Sequence, residues 1–326
     1  MEIKKGNRQF GLDIMAGIII LYVIICHMRM VGGTTPNFGY VLFLSMPWFY
    51  FKSGMFFKDK DIKVLLKADF KKLLSPYIAF VIIGWAVYVT LSLLKGTFTP
   101  YDAFLKPLIQ LGLLGSCSGN WPLWFLLTLF GIKFIYTVLN KLFRNSLYGK
   151  IFIGLAGLII AYLMYYFGIP KFVYIASISL GLFFYMLGDL LRSKQYNKHL
   201  FIISAIIYIA LAIGIPSHIG FQRNVLEYGN YFACVIASAA GCIFFNNLLN
   251  RLVTKDNFFA KFGRESITYY VCHFPVVLIL DYLFADVLKI ENGQHVFYLT
   301  ILGCVILLPL LNQLLNHPKL KFLIGK

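Results

Sequence analysis

Charge is scarce in this sequence: 13% of its residues are Asp, Glu, Lys or Arg, against about 25% in a soluble domain. That scarcity excludes an ordinary water-soluble globule. Cysteine is sparse as well, and its six copies (Cys26, Cys117, Cys234, Cys242, Cys272, Cys304) lie mostly inside apolar stretches without any CxxC spacing. A metal-thiolate centre and a disulfide framework are therefore not expected. There is no phosphate-cradling glycine loop, no metal-ligand cluster and no serine nucleophile elbow. Internal repeats of the kind many transporters carry and low-complexity tracts are also missing. The first apolar stretch begins near Phe10, runs for about twenty residues and lacks a small-residue cleavage site, so it reads as a membrane span and not as a removable leader.

What is abundant is apolar surface. Hydrophobic residues make up 60% of the 326, and the mean hydropathy is +0.77. A globule of this length has too little interior to hide so many Leu, Ile and Phe side chains, so most of the surface must face lipid. A hydrocarbon core about 30 Å thick needs roughly 20 apolar helical residues per crossing, and a helix satisfies its own backbone hydrogen bonds there. Ten segments fit: 10–30, 39–57, 73–94, 122–140, 150–168, 172–191, 199–215, 229–249, 266–287 and 295–315. The expected architecture is all-α and integral to the membrane, one bundle over residues 1–326. The connection 96–121 is the longest outer one, and its portion 103–114 is apolar but too short to cross, which suits a re-entrant or interfacial helix.

The net charge of +17 is not gathered on one basic element, which argues against nucleic acid as a partner. Instead, 22 of the 30 Lys and Arg residues fall in alternate connections, among them Lys58, Lys60, Lys63, Lys67, Lys71 and Lys72. Six occupy the opposite side, and Lys52 and Lys133 lie within spans. Short cytoplasmic loops are enriched in basic residues, so both ends are assigned to the cytoplasm.

Ionisable groups within spans are costly and thus candidates for function: Asp13, His27, Lys52, Lys133, Asp189, His273 and Asp281, with Glu265 at a span edge. Asp13 and His27 are fourteen positions apart, which places them roughly 40° apart around one helix and about 21 Å apart along it. They share a face. An imidazole there suits a general base toward a hydroxyl, because its unperturbed pKa near 6.5 lets it take and return a proton near neutrality. A structural hydrogen bond is the alternative for His27, and a pair with Arg8 is the alternative for Asp13. Trp121, Trp124 and Phe125 suit an interfacial aromatic belt or a sugar-stacking face. Gly54 suits close helix packing.

Four blocks carry a resemblance: "LDIMAGIIILYVIICH", "PWFYFKSGMFF", "GNWPLWFLLTLF" and "FGRESITYYVCHFPV", in that order over roughly residues 8 to 280. Together they resemble the membrane-bound acyltransferase-3 family, polysaccharide O-acetylases included. The resemblance implies acetyl transfer from cytosolic acetyl-CoA, as donor substrate and not as bound cofactor, to a carbohydrate hydroxyl or its lipid-linked precursor. It implies His27 as base and Asp13 as orienting group. Substrate contacts are expected from Lys52, Ser53, Trp124, Tyr270, His273, Arg29 and Lys133. The family's basic residue in the first span aligns with Ala16, and Lys52, Lys133 or Arg29 is expected to supply that charge. A glycan exporter and a catalytically degenerate accessory subunit remain the competing readings.

Fusion reporters test the orientation. A fluorescent protein joined after Lys326 is expected to be active and a phosphatase at the same point silent, with the reverse inside 96–121. An active phosphatase at the C-terminal junction sinks the assignment.

Overall fold

The structure, a computed structural model, describes residues 9–28, 44–167, 173–192, 197–214, 221–222, 225–226, 231–253 and 255–326. Its helices are α1 (Phe10–Met28), α2 (Ser45–Met55), α3 (Ile62–Asp69), α4 (Ser75–Leu94), α5 (Lys106–Leu114), α6 (Trp124–Leu142) and α7 (Leu147–Tyr166). There follow α8 (Val173–Leu191), α9 (Lys198–Gly214), α10 (Tyr231–Leu252), α11 (Phe258–Arg264), α12 (Ser266–Asp281) and α13 (Gly293–Leu315). The fold is all-α and integral to the membrane. Among the described residues, β structure is limited to a two-residue strand pair, Phe221–Gln222 with Val225–Leu226, and a bridge between Cys117 and Asn120.

Each of the ten expected spans coincides with a helix. Among the described residues, eight helical stretches are long and apolar enough to cross a membrane, the longest being Ile62–Leu94, where α3 runs through a π turn at Phe70–Leu74 into α4. The remaining two are α2, since the start of segment 39–57 lies outside the described residues, and α9, which is apolar but shorter. The apolar piece in 96–121 forms a π turn at Tyr101–Leu105 leading into α5, with Phe104, Leu105, Leu108 and Ile109 exposed. Exposed Ile82, Ile159 and Val305 mark faces of α4, α7 and α13 that suit lipid. Two helices, α7 and α13, have side-chain caps: the Ser146 hydroxyl accepts from the Gly149 amide at 3.0 Å, and the Asn292 side chain accepts from the Gln294 amide at 2.9 Å.

The contacts divide the chain into two compact units. The first holds Met1–Ile19, Asn37–Ile62 and Gly131–Arg264, and the second holds Ile20–Pro36, Lys63–Phe130 and Glu265–Lys326. In the first unit, α8 packs closely on α7 and on α2, and α9 packs on α10. The α2–α8 approach depends on glycine: a Cβ on Gly54 would collide with the Tyr185 carbonyl, and one on Gly188 with the Phe51 carbonyl. Gly54 is thus a packing residue, as small residues at membrane helix crossings generally are. In the second unit, α12 packs on α13 and α4, and the C-terminal turn Lys321–Ile324 packs on α4.

Asp189 on α8 shows how the first unit handles a buried charge. Its side chain is fully buried, ion-pairs with Lys150 at 2.7 Å and accepts from the Tyr136 hydroxyl at 2.9 Å, with Arg192 at 3.5 Å. Arg192 also donates to the Phe57 carbonyl at 2.9 Å, joining the end of α2 to the same network. Removing one partner of such a network leaves the other charges uncompensated, at a cost of about 3 kcal/mol. Asp189→Leu is therefore expected to lower the thermal midpoint in detergent, and adding Lys150→Met should recover part of the loss. An unchanged midpoint for the single variant would count against the network.

Candidate functional site

The second unit gathers most polar side chains of interest around α12. Its sequence, SITYYVCHFPVVLILD, buries every residue from Thr268 to Val277 and has Pro275 in the interior. Proline has no amide hydrogen, so the carbonyl of Val271, four residues earlier, loses its helical donor. Asn120 answers it. This side chain is fully buried, and its Nδ2 donates to the Val271 carbonyl at 2.9 Å. Asn120 is held in a tight turn, its amide donating to the Cys117 carbonyl at 2.9 Å. That turn lies so close to α4 that a Cβ on Gly119 would collide with the Gly84 carbonyl, so both crossing residues must be glycine. On the other side, the Tyr270 hydroxyl donates to the Pro122 carbonyl, and the Phe125 ring meets Tyr270 edge-on at 5.6 Å. The turn before α6 is thus pinned to α12 at two points.

One turn along α12 from Tyr270, His273 is completely buried. Its Nδ1 lies 2.6 Å from the Tyr270 carbonyl oxygen, and its Nε2 lies 3.1 Å from Nδ1 of His27 on α1. The two imidazoles have centroids 5.0 Å apart and are tilted by 41°, while Phe274 presents its edge to His27 at 5.8 Å. His27 itself is only half-buried. The structure thus joins two histidines far apart in sequence, both singled out above, and the partner His273 finds on another span is His27. His273 anchors the pair to backbone, and His27 is the less buried residue of the two.

The other expected site residues are distributed between the units. In the second unit, Trp124 is half-buried with its ring edge toward Phe125 at 6.1 Å, and the Tyr270 hydroxyl is committed to Pro122. In the first unit, the carboxylate of Asp13 lies 4.0 Å from Arg264, which also chelates Asp256 at 2.8 and 2.9 Å. Arg8, the partner considered for Asp13, lies outside the described residues, as does Arg29. Lys52 on α2 donates to the Leu12 carbonyl at 3.3 Å and stands over the Trp48 ring at 5.2 Å. Leu12 is the residue whose carbonyl takes the helical bond of Ala16, so the Lys52 ammonium sits beside the turn that carries the fully buried Ala16. Ser53 is half-buried on α2. Lys133 is half-buried on α6, and its carbonyl accepts from the Thr137 hydroxyl at 2.7 Å.

Sequence reasoning passed over Asn120, Pro122 and Phe274. Pro275 was the available signal: a proline inside an apolar helix leaves a carbonyl that some buried donor must meet, and Asn120 is that donor. Asp256 on the first unit has its carboxyl held below the usual range by hydrogen bonds from Arg264. Among the described residues, no three His, Cys, Asp or Glu side chains converge as a metal-ligand set.

A family model described as an acyltransferase domain, that of acyltransferase-3, matches residues 9–322. No curated protein and no solved structure matches the chain.

The Asn120–Val271 bond predicts coupling between two positions. In the Asn120→Leu background the freed Val271 carbonyl is unmet, so Pro275→Ala, which restores an amide at 275, is expected to be more stabilising than in the parent by about 1 kcal/mol. Thermal unfolding of the four proteins in detergent measures it, and simple additivity would refute the bond's role.

Proposed function

Because the chain belongs to the acyltransferase-3 family, we propose that it moves an acetyl group from acetyl-CoA to a hydroxyl of a cell-surface carbohydrate, or of its lipid-linked precursor, in a bacterial inner membrane. That it is a membrane acyltransferase follows from the family and from its apolar spans. The observation that supports the fuller reading is the half-buried imidazole of His27 backed by the buried imidazole of His273. A thioester is activated enough that the protein's main task is to raise the nucleophilicity of an alcohol and hold the two reactants together.

In this reading, His27 takes the proton of the acceptor hydroxyl as its oxygen bonds to the thioester carbonyl carbon. The tetrahedral adduct then collapses by breaking the carbon–sulfur bond. The coenzyme leaves as thiolate and recovers the proton from His27, so the products are the sugar ester and the free thiol. Exposed Lys63, Lys67 and Lys71, one or two turns apart along α3 and its π turn, give the second unit a basic stripe suited to steering the phosphates of the donor. Lys52, beside the Ala16 turn, supplies the cation that the family pattern puts at position 16. Trp124 is the aromatic surface offered to the sugar, and Ser53, Lys133 and Arg29 complete the set of expected substrate contacts.

His27→Ala is expected to remove acetyl ester from the host's envelope glycan while the amount of glycan stays constant. Purified protein should lose about 10²–10⁴-fold in transfer from acetyl-CoA. A drop in glycan itself would favour an exporter, and unchanged ester would rule out His27 as the base.

A further inference from the structure

The geometry of the histidine pair assigns a proton to each ring. A carbonyl oxygen only accepts, so the 2.6 Å contact with Tyr270 places a hydrogen on Nδ1 of His273. A fully buried ring is kept neutral by the cost of burying a charge, which leaves Nε2 of His273 as a lone pair. That lone pair faces Nδ1 of His27 at 3.1 Å. Two lone pairs at this separation repel, so Nδ1 of His27 must carry its hydrogen and donate it. A neutral imidazole has one ring hydrogen, and Nε2 of His27, on the far side of the ring, is consequently bare. The opposite arrangement fails at the first link, because it would set the Nδ1 lone pair of His273 against the Tyr270 carbonyl oxygen.

We infer that His273 is a positioning residue: hydrogen-bonded to the Tyr270 carbonyl, it fixes the His27 tautomer in which Nε2 is the basic nitrogen. Its effect on rate rests on the acyl-transfer reading above; its effect on the tautomer does not. The chain Tyr270 carbonyl, His273, His27 runs in one direction, with each donor pointing back toward the backbone of α12. When Nε2 of His27 gains a proton, no other hydrogen has to move, and the Nδ1 hydrogen already has an acceptor. Phe274 packs perpendicular to His27 with ring centroids 5.8 Å apart.

The test uses full-length protein in lipid nanodiscs with ring-¹⁵N histidine, the His27 signals being assigned by their loss in His27→Ala. Nitrogen shifts distinguish protonated from bare ring positions. The wild type is expected to show His27 protonated at Nδ1 and bare at Nε2. The Val23 carbonyl, one turn back on α1, also accepts from the His27 ring and remains in His273→Leu, so there the share of His27 carrying its hydrogen on Nε2 should rise while kcat for transfer from acetyl-CoA falls with KM unchanged. His273→Gln, whose Oε1 accepts the same Nδ1 hydrogen, should keep the tautomer and recover most of the rate. A wild-type His27 protonated at Nε2 overturns the inference, as does a His273→Leu protein, folded by its thermal midpoint, whose tautomer stays put. If the tautomer follows these substitutions while wild-type protein transfers no acetyl group, the positioning role stands and the acyl-transfer reading fails.

Discussion

A polar group inside hydrocarbon has no water to fall back on, so it is costly unless the chain itself meets it. Among the described residues many are met, while a minority, Asn120 Oδ1, Thr128 Oγ1 and Thr300 Oγ1 among them, have no hydrogen-bond partner. Hydroxyls and amides within helices solve this by bonding to carbonyls one turn back: Ser92 to Tyr88 at 2.9 Å, Thr137 to Lys133 at 2.7 Å, Ser179 to Ile175 at 3.1 Å and Asn247 to Ile243 at 2.8 Å. Groups that cannot close on their own helix reach across to another. Asn120 meets the carbonyl that Pro275 sets free, Tyr136 and Lys150 meet Asp189, and His273 meets both its own helix and His27. The candidate site is an instance of the same rule as the fold. Its polar chain runs from the Tyr270 carbonyl through His273 to His27, the less buried of the two histidines.

How much of this is legible in the sequence follows from the range of each interaction. Spans depend on local composition, so all ten segments could be placed within a few residues of a helix, and Gly54 could be read as a packing residue from its small size alone. The π turns at Phe70–Leu74, Tyr101–Leu105 and Tyr282–Val287 leave no mark on hydropathy, which averages over them. His27 and His273 stand out singly, because an ionisable ring in an apolar run is conspicuous. Their pairing is another matter: 246 residues separate them, and helical periodicity carries no information about which spans touch. Asn120 is harder still, since an asparagine between apolar segments reads as a loop residue. Only the conjunction with Pro275 gives it a task.

The first unit shows how a charge is held near position 16. Ala16 is fully buried, and a cation there would have to be stripped of water on every side, at a cost far above that of a partly solvated one. Lys52 approaches the same turn from α2 with its ammonium on the Leu12 carbonyl and against the Trp48 ring, two contacts that compensate a half-buried charge. Charge at this turn is therefore carried by a longer side chain from a neighbouring helix, less buried than position 16.

The histidine pair takes this economy further. A permanent ion pair in the interior of the second unit would require continuous compensation of the kind Asp189 receives from Lys150, Arg192 and Tyr136. Two neutral imidazoles need only one hydrogen bond between them and one to backbone. The buried ring costs little at rest, and under the acyl-transfer reading His27, the less buried of the two, is the one that takes the proton. An apolar helical interior can host acid–base chemistry on those terms, with the charged intermediate confined to the residue that water or substrate can reach and its geometry set by the residue they cannot.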